Sequence, residues 1–250
     1  MIRNTHKLAL RFAIYFVVIL LCASATYAWQ EITQTEFDKA AKISTDFYKG
    51  KEHYSVKVVH ASYRGHDAVT AYEQIEGYYR FDHGSYHSLL AGIHTIQNNT
   101  CRVVIDTAAK SILVGDLTNN KADDVSEINY KNSMMDVKKF MKCPIGTAMR
   151  YRLEYNEKPL YESYETEINA SGMMSEMLIY YRKEYQINPQ DANSAKAKPK
   201  LKITWSEFSE KTVFAADEFS TQKYFTESNG KLTPTPKYKG YRITDVRVKK

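Results

Sequence analysis

Gly77-Tyr-Tyr-Arg-Phe-Asp82, Tyr86-His-Ser-Leu-Leu-Ala-Gly-Ile-His-Thr-Ile-Gln-Asn98, Cys101-Arg-Val-Val-Ile-Asp106 and Ser111-Ile-Leu-Val114 follow one another along the chain. Each piece is short, rich in β-branched and aromatic residues, and bounded by Gly, Asn or Asp, which is the pattern of successive antiparallel strands. A polar turn over Asp106 to Lys110 joins Val103-Val104-Ile105 to Ile112-Leu113-Val114. Gly77, in mid-strand, predicts a bulge or a close approach by another element.

Outward from this wall of strands, the pattern continues on both sides. Upstream, Tyr54 to Tyr63 is a strand with Tyr54, Val56 and Val58 on one face, and Val69 to Phe81 is a second. Gln34 to Tyr48 has apolar residues at helical spacing, with Thr33 as N-cap, Glu36 three residues on, and Gly50 as the stop. Downstream, Ser133 to Lys142 reads as a second amphipathic helix, with Met134, Val137, Phe140 and Met141 as its stripe and Cys143-Pro-Ile-Gly146 as its stop. Alternation then returns: Met149, Tyr151, Leu153 and Tyr155 face one way, and Arg150, Arg152 and Glu154 the other. Leu160 to Ile168, Met173 to Glu184, and Leu201 to Trp205 follow as strands, and Tyr238 to Val248 closes the chain as a last one. No linker divides the alternating segments. The fold class expected is α+β over residues 29–250: a single, strongly curved antiparallel sheet, a half-barrel, with two or more short helices over its concave side.

The composition bounds the function. The chain has 250 residues, 20 of them Tyr, and a formal charge of +6. Arg3, Lys7 and Arg11 lie in residues 1–28, which hold no acid, so the remainder carries only +3. A surplus that small gives no reason to expect nucleic acid as a partner. Those three cations precede an apolar run, Phe12 to Leu21, and small residues up to Ala28, the layout of a secretory signal peptide cut after Ala28, with Ala25 as the alternative. The apolar run is too short to span a membrane comfortably. Cys22 raises lipidation, but Leu21 is larger than the small residue a lipobox needs there. Export permits disulfides: Cys101 and Cys143 either pair or are two separate buried thiols.

A resemblance rests on several of these segments. The leader, the helix ending in Phe47-Tyr48, the strands reaching Gly77-Tyr-Tyr-Arg-Phe81, the hairpin Ile105 to Val114, and Leu201 to Phe208 with Phe214 and Phe219 after it are similar in order and spacing to the periplasmic outer-membrane lipoprotein carrier (LolA) family. The resemblance implies a half-open barrel with a greasy interior that takes up acyl chains under helices acting as a lid. It also implies a basic residue coupling opening to cargo transfer, for which Arg64 and Arg80 are the candidates here.

The candidate lipid-binding wall is Tyr54, Val56, Val58, Tyr79, Phe81, Leu89, Ile93, Met149, Tyr151, Leu153, Leu201, Ile203 and Trp205. The same residues would also serve as an ordinary core between sheet and helices. Flexible Met134, Met135, Met141, Met173, Met174 and Met177 suit variable cargo. The histidines match no zinc spacing, and no nucleophile elbow, phosphate loop or His-Glu-x-x-His occurs, so neither a metal, a cofactor nor an enzyme is expected. The expected function is a monomeric periplasmic carrier or binder of lipids or lipoprotein acyl chains, whose lid helices swing from the wall and which an inner- or outer-membrane protein serves. The alternative is an envelope sensor or assembly module that binds a protein partner. Expressed with its leader in a Gram-negative host, the protein should be recovered with Trp29 as its first residue. Intact mass checks this, and a retained leader or a lipid on Cys22 would contradict it.

Overall fold

The structure is a computed structural model that describes residues 28–117, 134–188, 190–191 and 193–248. The leader, Cys22 and the polar loop read over 119–124 lie outside these residues. In chain order the elements are β1 (Gln30–Ile32), α1 (Gln34–Lys49), β2 (His53–Tyr63), β3 (Glu73–Asp82), β4 (Ser85–Leu90), β5 (Ile93–Gln97), β6 (Arg102–Asp106), β7 (Ser111–Gly115), β8 (Val137–Ile145), β9 (Ala148–Tyr155), β10 (Tyr161–Ile168), β11 (Met174–Tyr181), β12 (Tyr185–Gln186), β13 (Lys196–Ala197), β14 (Lys200–Ser209), β15 (Phe225–Ser228), β16 (Lys231–Pro234) and β17 (Arg242–Asp245). Thirteen strands form one curved sheet in the order β1-β8-β9-β10-β11-β14-β2-β3-β4-β5-β6-β7-β17. It does not close, because β1 and β17 are its two ends.

Sequence alternation and register together assign the faces. Facing residues in adjacent strands point the same way, and neighbours along a strand point opposite ways. The pairs Tyr54↔Phe81, Val58↔Trp205, Leu201↔Ile179, Tyr164↔Leu153 and Phe140↔Ile32 therefore lie on one face. Helix α1 packs here, with Phe37 against Phe140 and Tyr151 and with Tyr48 against Tyr54. The capping box predicted at its start is present: Glu36 N–H donates to the Thr33 hydroxyl and the Thr33 N–H to the Glu36 carboxylate. At the far end of the sheet the opposite face is the apolar one. Ile96, Val103, Ile105, Ile112 and Val114 are fully buried there under Tyr224, Phe225 and Tyr238 of the C-terminal segment. Gly77 lies at the close approach its position predicts, since a Cβ there would collide with the Leu89 carbonyl oxygen in β4.

Several expectations need correction. Ser133 to Lys142 is not a lid helix: Val137–Ile145 is strand β8, paired with both β1 and β9. The steps of three and one from Val137 to Phe140 and Met141 mimic a helix, but the pairing slips between Val137 and Lys139, so Val137 and Phe140 share the helix face and Met141 lies opposite, beside Arg152. The Gly146 stop is a hairpin turn at φ +59 that returns the chain into β9. Among the described residues α1 is the one complete α-helix, and Met134, also helical, stands at the side of it. The last strand is shorter than Tyr238 to Val248 and runs parallel to β7, so the sheet is not wholly antiparallel. The segment read as Val69 to Phe81 starts its strand only at Glu73, and Val69 is exposed. Tyr86 to Gln97 is two strands, because Ala91 and Gly92 turn the chain at positive φ. Cys101 and Cys143 do not pair; both are free and buried, Cys101 in the core under the C-terminal segment and Cys143 on β8.

The C-terminal segment is fastened to the sheet by a buried polar network. Glu218 accepts from Arg80 at 2.7 Å and contacts His87 Nδ1 at 2.7 Å, and His87 Nε2 contacts His94 Nδ1 at 3.0 Å. The Arg80 guanidinium also stacks on Tyr78, 3.9 Å from the ring centre. Burial pushes the pKa of His87 below the usual imidazole value, despite the opposing bond to Glu218, and burial does the same to His94. Burial works against the Glu218 carboxylate, but the bonds from Arg80 and His87 outweigh it and hold its pKa below the ordinary range. All three shifts have one sign. A group whose folded pKa is depressed contributes stability above its unfolded pKa and loses it as pH falls. Between pH 7.5 and 5 His87 and His94 should therefore lower the melting temperature as pH falls, outweighing His53, whose bond to Asp82 raises its pKa and works the other way, and His87→Gln should flatten the slope. Thermal melts over that pH range check it, and a flat wild-type profile would contradict it.

Candidate functional site

Helix α1 is apolar and bulky at its ends and small in its middle. Phe37, Ala41, Ser44, Thr45 and Tyr48 recur at steps of four, three, one and three, which places them on one helical face. Phe37 rests on the cluster of Ile32, Phe140, Tyr151 and Leu153. At the other end Phe47 and Tyr48 meet Phe208, at 5.1 and 6.3 Å between ring centres, and Phe208 stacks on Tyr54 at 5.5 Å. Phe208 reaches this face because of a bulge. Glu207 adopts φ +53, the pairing slips between Ser206 and Ser209, and the alternation of β14 is reset by one residue.

Between these aromatic supports, the small residues of α1 leave a cavity of about 510 Å³ over β9, β10 and β11. Its floor is Leu153 and Tyr155 of β9, Tyr161, Tyr164, Thr166 and Ile168 of β10, and Met174 and Ile179 of β11, with Met134 at the side. Tyr161 to Ile168 spans seven residue steps, roughly 23 Å at about 3.3 Å each, so the cavity is a slot laid along β10. No lining residue carries a charge at neutral pH. Burial pushes the Tyr48 phenol up to about 12 and also raises those of Tyr155 and Tyr164, which keeps all three protonated.

The glutamates that alternate with this floor point to the other face. There Arg150 donates to Glu167 at 2.8 Å and Glu176 at 3.0 Å, and Arg152 to Glu165 at 3.3 Å. Lys202 pairs with Glu176 in the same ladder. Glu165 is buried, which raises its pKa, while Arg152 and Arg150 oppose the rise.

Of the thirteen candidate wall residues, the register puts twelve on the helix face. Leu89 is the exception: it pairs with Tyr78 and lies on the opposite face, in a shallow polar depression beside Lys57, Glu76 and Arg80. Only Leu153 lines the slot itself. Tyr151 supports Phe37 beside it, and Tyr54 and Phe81 stack 5.4 Å apart beneath the far end of α1. Val56 and Val58 are buried on β2; Met149, Ile203 and Trp205 are half-buried. Tyr79 and Ile93, on β3 and β5, are exposed beyond the roof of the helix. Leu201 lines a neighbouring cleft that also holds Arg64. Arg80 is on the other face, committed to Glu218. The missed residues are those of β10 and β11. Their sequence signal was Tyr164-Glu-Thr-Glu-Ile168, where each glutamate marks the neighbours on either side as the opposite face.

Fold and site together define a protein with an open, twisted sheet and an uncharged, helix-roofed slot. Among the solved structures similar to it are the following two. Lipoprotein LppX from Mycobacterium tuberculosis has 11% sequence identity and a TM-score of 0.39, covering 73% of this chain and 99% of that one. A DUF1329 family protein from Desulfovibrio piger has 9% identity and a TM-score of 0.33, covering 74% of this chain and 97% of its own. No protein-family model matches the chain, and no curated protein matches it.

Gly172, in the β10–β11 turn, touches the roof. A Cβ there would lie 3.0 Å from Ile43 Cγ2, 3.2 Å from the Ile43 carbonyl oxygen and 3.4 Å from Phe47 Cβ, and its φ of +92 disfavours any side chain. Gly172→Val should cost about 2 kcal/mol or more through strain and overpacking and should lift the second half of α1. Hydrogen exchange checks this: amides of residues 43–49 should exchange faster, with β5–β7 unchanged.

Proposed function

We propose that this protein binds lipids or lipoprotein acyl chains in the slot under α1 and serves as an exported, non-enzymatic carrier or holder of them in a Gram-negative envelope. The observation that carries the reading is the slot: about 510 Å³, elongated, and lined without a charge. Its volume falls inside the roughly 300–1,000 Å³ of typical ligand sites. Burying a methylene gains about 0.8 kcal/mol, so a dozen gain about 10 kcal/mol. Association itself costs roughly 4–15 kcal/mol. A long chain is thus needed for binding at all, and one chain stays exchangeable, as a carrier requires. Met134 and Met174 adapt the lining to chains of different shape. Export, and handover to a membrane protein, rest on the leader-like residues 1–28 and on the carrier-family resemblance. No helix among the described residues is long and apolar enough to cross a membrane.

The test is uptake of a fluorescent polyene fatty acid by residues 29–250. Wild type should bind it saturably. Ala41→Trp places an indole in the slot and should weaken binding at least tenfold while circular dichroism stays unchanged. Val69→Trp, on an exposed loop, should bind as wild type does. Failure of wild type to take up the probe would sink the proposal.

A further inference from the structure

Next to the slot lies a second cavity of a different character, about 400 Å³, between the ends of β2, β11 and β14 and the short β12–β13 pair. Its walls are tyrosines, and each of three rings carries a cation. Arg64 stacks 4.7 Å from the Tyr72 ring centre, Lys200 4.8 Å from Tyr63, and Lys183 5.4 Å from Tyr185. None of the lining residues is acidic. Lys200 is occupied, donating to the carbonyls of His66 at 2.6 Å and Ala68 at 3.2 Å, and these bonds pin the loop that bears Arg64. The Tyr72 N–H donates to the Ser62 carbonyl at 3.0 Å and closes the same loop. No carboxylate among the described residues pairs with Arg64, whose guanidinium lies over Tyr72 and lines the cleft.

The two cavities share a wall. Tyr161 lines the slot and Tyr181 the cleft, and their rings meet edge to face at 5.5 Å. Two residues further in, Ile179 of the slot faces Leu201 of the cleft across the β11–β14 pair. An uncharged slot thus lies against a cation-bearing cleft across the Tyr161–Tyr181 contact, the two environments an amphiphile requires.

We infer that the Arg64–Tyr72 cleft binds the phosphate-type anionic head group of a lipid whose acyl tail occupies the slot. This rests on the acyl-binding reading above and adds the ligand's polar half. Guanidinium meets phosphate oxygens through paired N–H donors, and the cation–π contact with Tyr72 restrains it at the cleft. Arg64 acts as a specificity residue for the head, with no part in holding the tail.

The experiment compares two lipids with the same single acyl chain, lysophosphatidic acid and the uncharged monoacylglycerol, on wild type and Arg64→Gln, by calorimetry or probe displacement. Wild type should prefer the anionic lipid about tenfold, the scale of one charge-assisted hydrogen bond. Arg64→Gln should erase that preference and leave monoacylglycerol binding unchanged. A parallel arm follows backbone amide shifts of residues 62–72 with glycerol phosphate, and separately with inorganic phosphate, in place of lipid. Shifts with glycerol phosphate when neither lipid binds would uphold the cleft and overturn the slot. Equal binding of both lipids by wild type would uphold the slot and overturn the head-group assignment. Equal weakening of both by Arg64→Gln would also overturn it. Shifts with inorganic phosphate alone would overturn the lipid as the source of the anion. No response in any arm would overturn both.

Discussion

The structure depends on α1 being held off the sheet by aromatic supports at its two ends. Phe37 stands on Phe140, Tyr151 and Leu153, and Tyr48 and Phe47 stand on Tyr54 and Phe208. Ring against ring is favourable, and it also sets a height. Ala41, Ser44 and Thr45 are too short to fill the space at that height, so the middle of the contact stays hollow. Interiors normally close such gaps, because a void loses contacts without gain. Here neighbouring strands keep the floor taut, and a helix stiffened by its capping box cannot sag into it.

The register of the sheet keeps the floor uncharged. Arg150 and Arg152 of β9, Glu165 and Glu167 of β10 and Glu176 of β11 form an ion-pair ladder on one face, and Leu153, Tyr155, Tyr164, Thr166 and Ile168, which alternate with them, line the slot on the other. A slip of one position in β10 would carry Glu165 and Glu167 beneath α1 and put Tyr164 and Ile168 among the arginines. The buried pairs therefore matter more for selecting the alignment than for raw stability, since paired charges out of water roughly break even. The far end of the sheet solves the same problem on its other face, where the C-terminal segment covers β4 to β7 and the His87–Glu218 contact locks it. The molecule carries one core above the sheet at one end and one below it at the other.

Much of this was legible from local pattern. The capping box at Thr33, the alternation from Gly77 to Val114, and the side of the sheet to which Tyr54, Val58, Leu153 and Ile203 belong all follow from neighbouring residues. What was not legible depends on distant partners. Val137, Phe140 and Met141 have helical spacing because the pairing of β8 with β9 slips after Val137, and only the flanking strands β1 and β9 disclose that slip. The parallel seating of Arg242–Asp245 on β7 is a choice between far segments with no local signature. Glu207 resets the phase of β14 without Gly to announce it, so Phe208 joins the face its position in the alternation denies it. The slot was misplaced for the same reason. Which part of a long apolar face stays hollow is decided by where the helix comes down, and that is a fact about Phe37 and Phe208 together.

The attachment of α1 carries one more implication. A single residue, Thr33, separates it from β1, and three residues, 50–52, separate it from β2, while both of those strands are hydrogen-bonded into the sheet. Three residues reach about 10 Å at full stretch. Such a segment is a bridge moored on both banks: it can rise and settle, but neither end can be cast off without unpicking a strand. An acyl chain taken up as proposed would then pass beneath the span, tail first, from the Tyr161 end of β10.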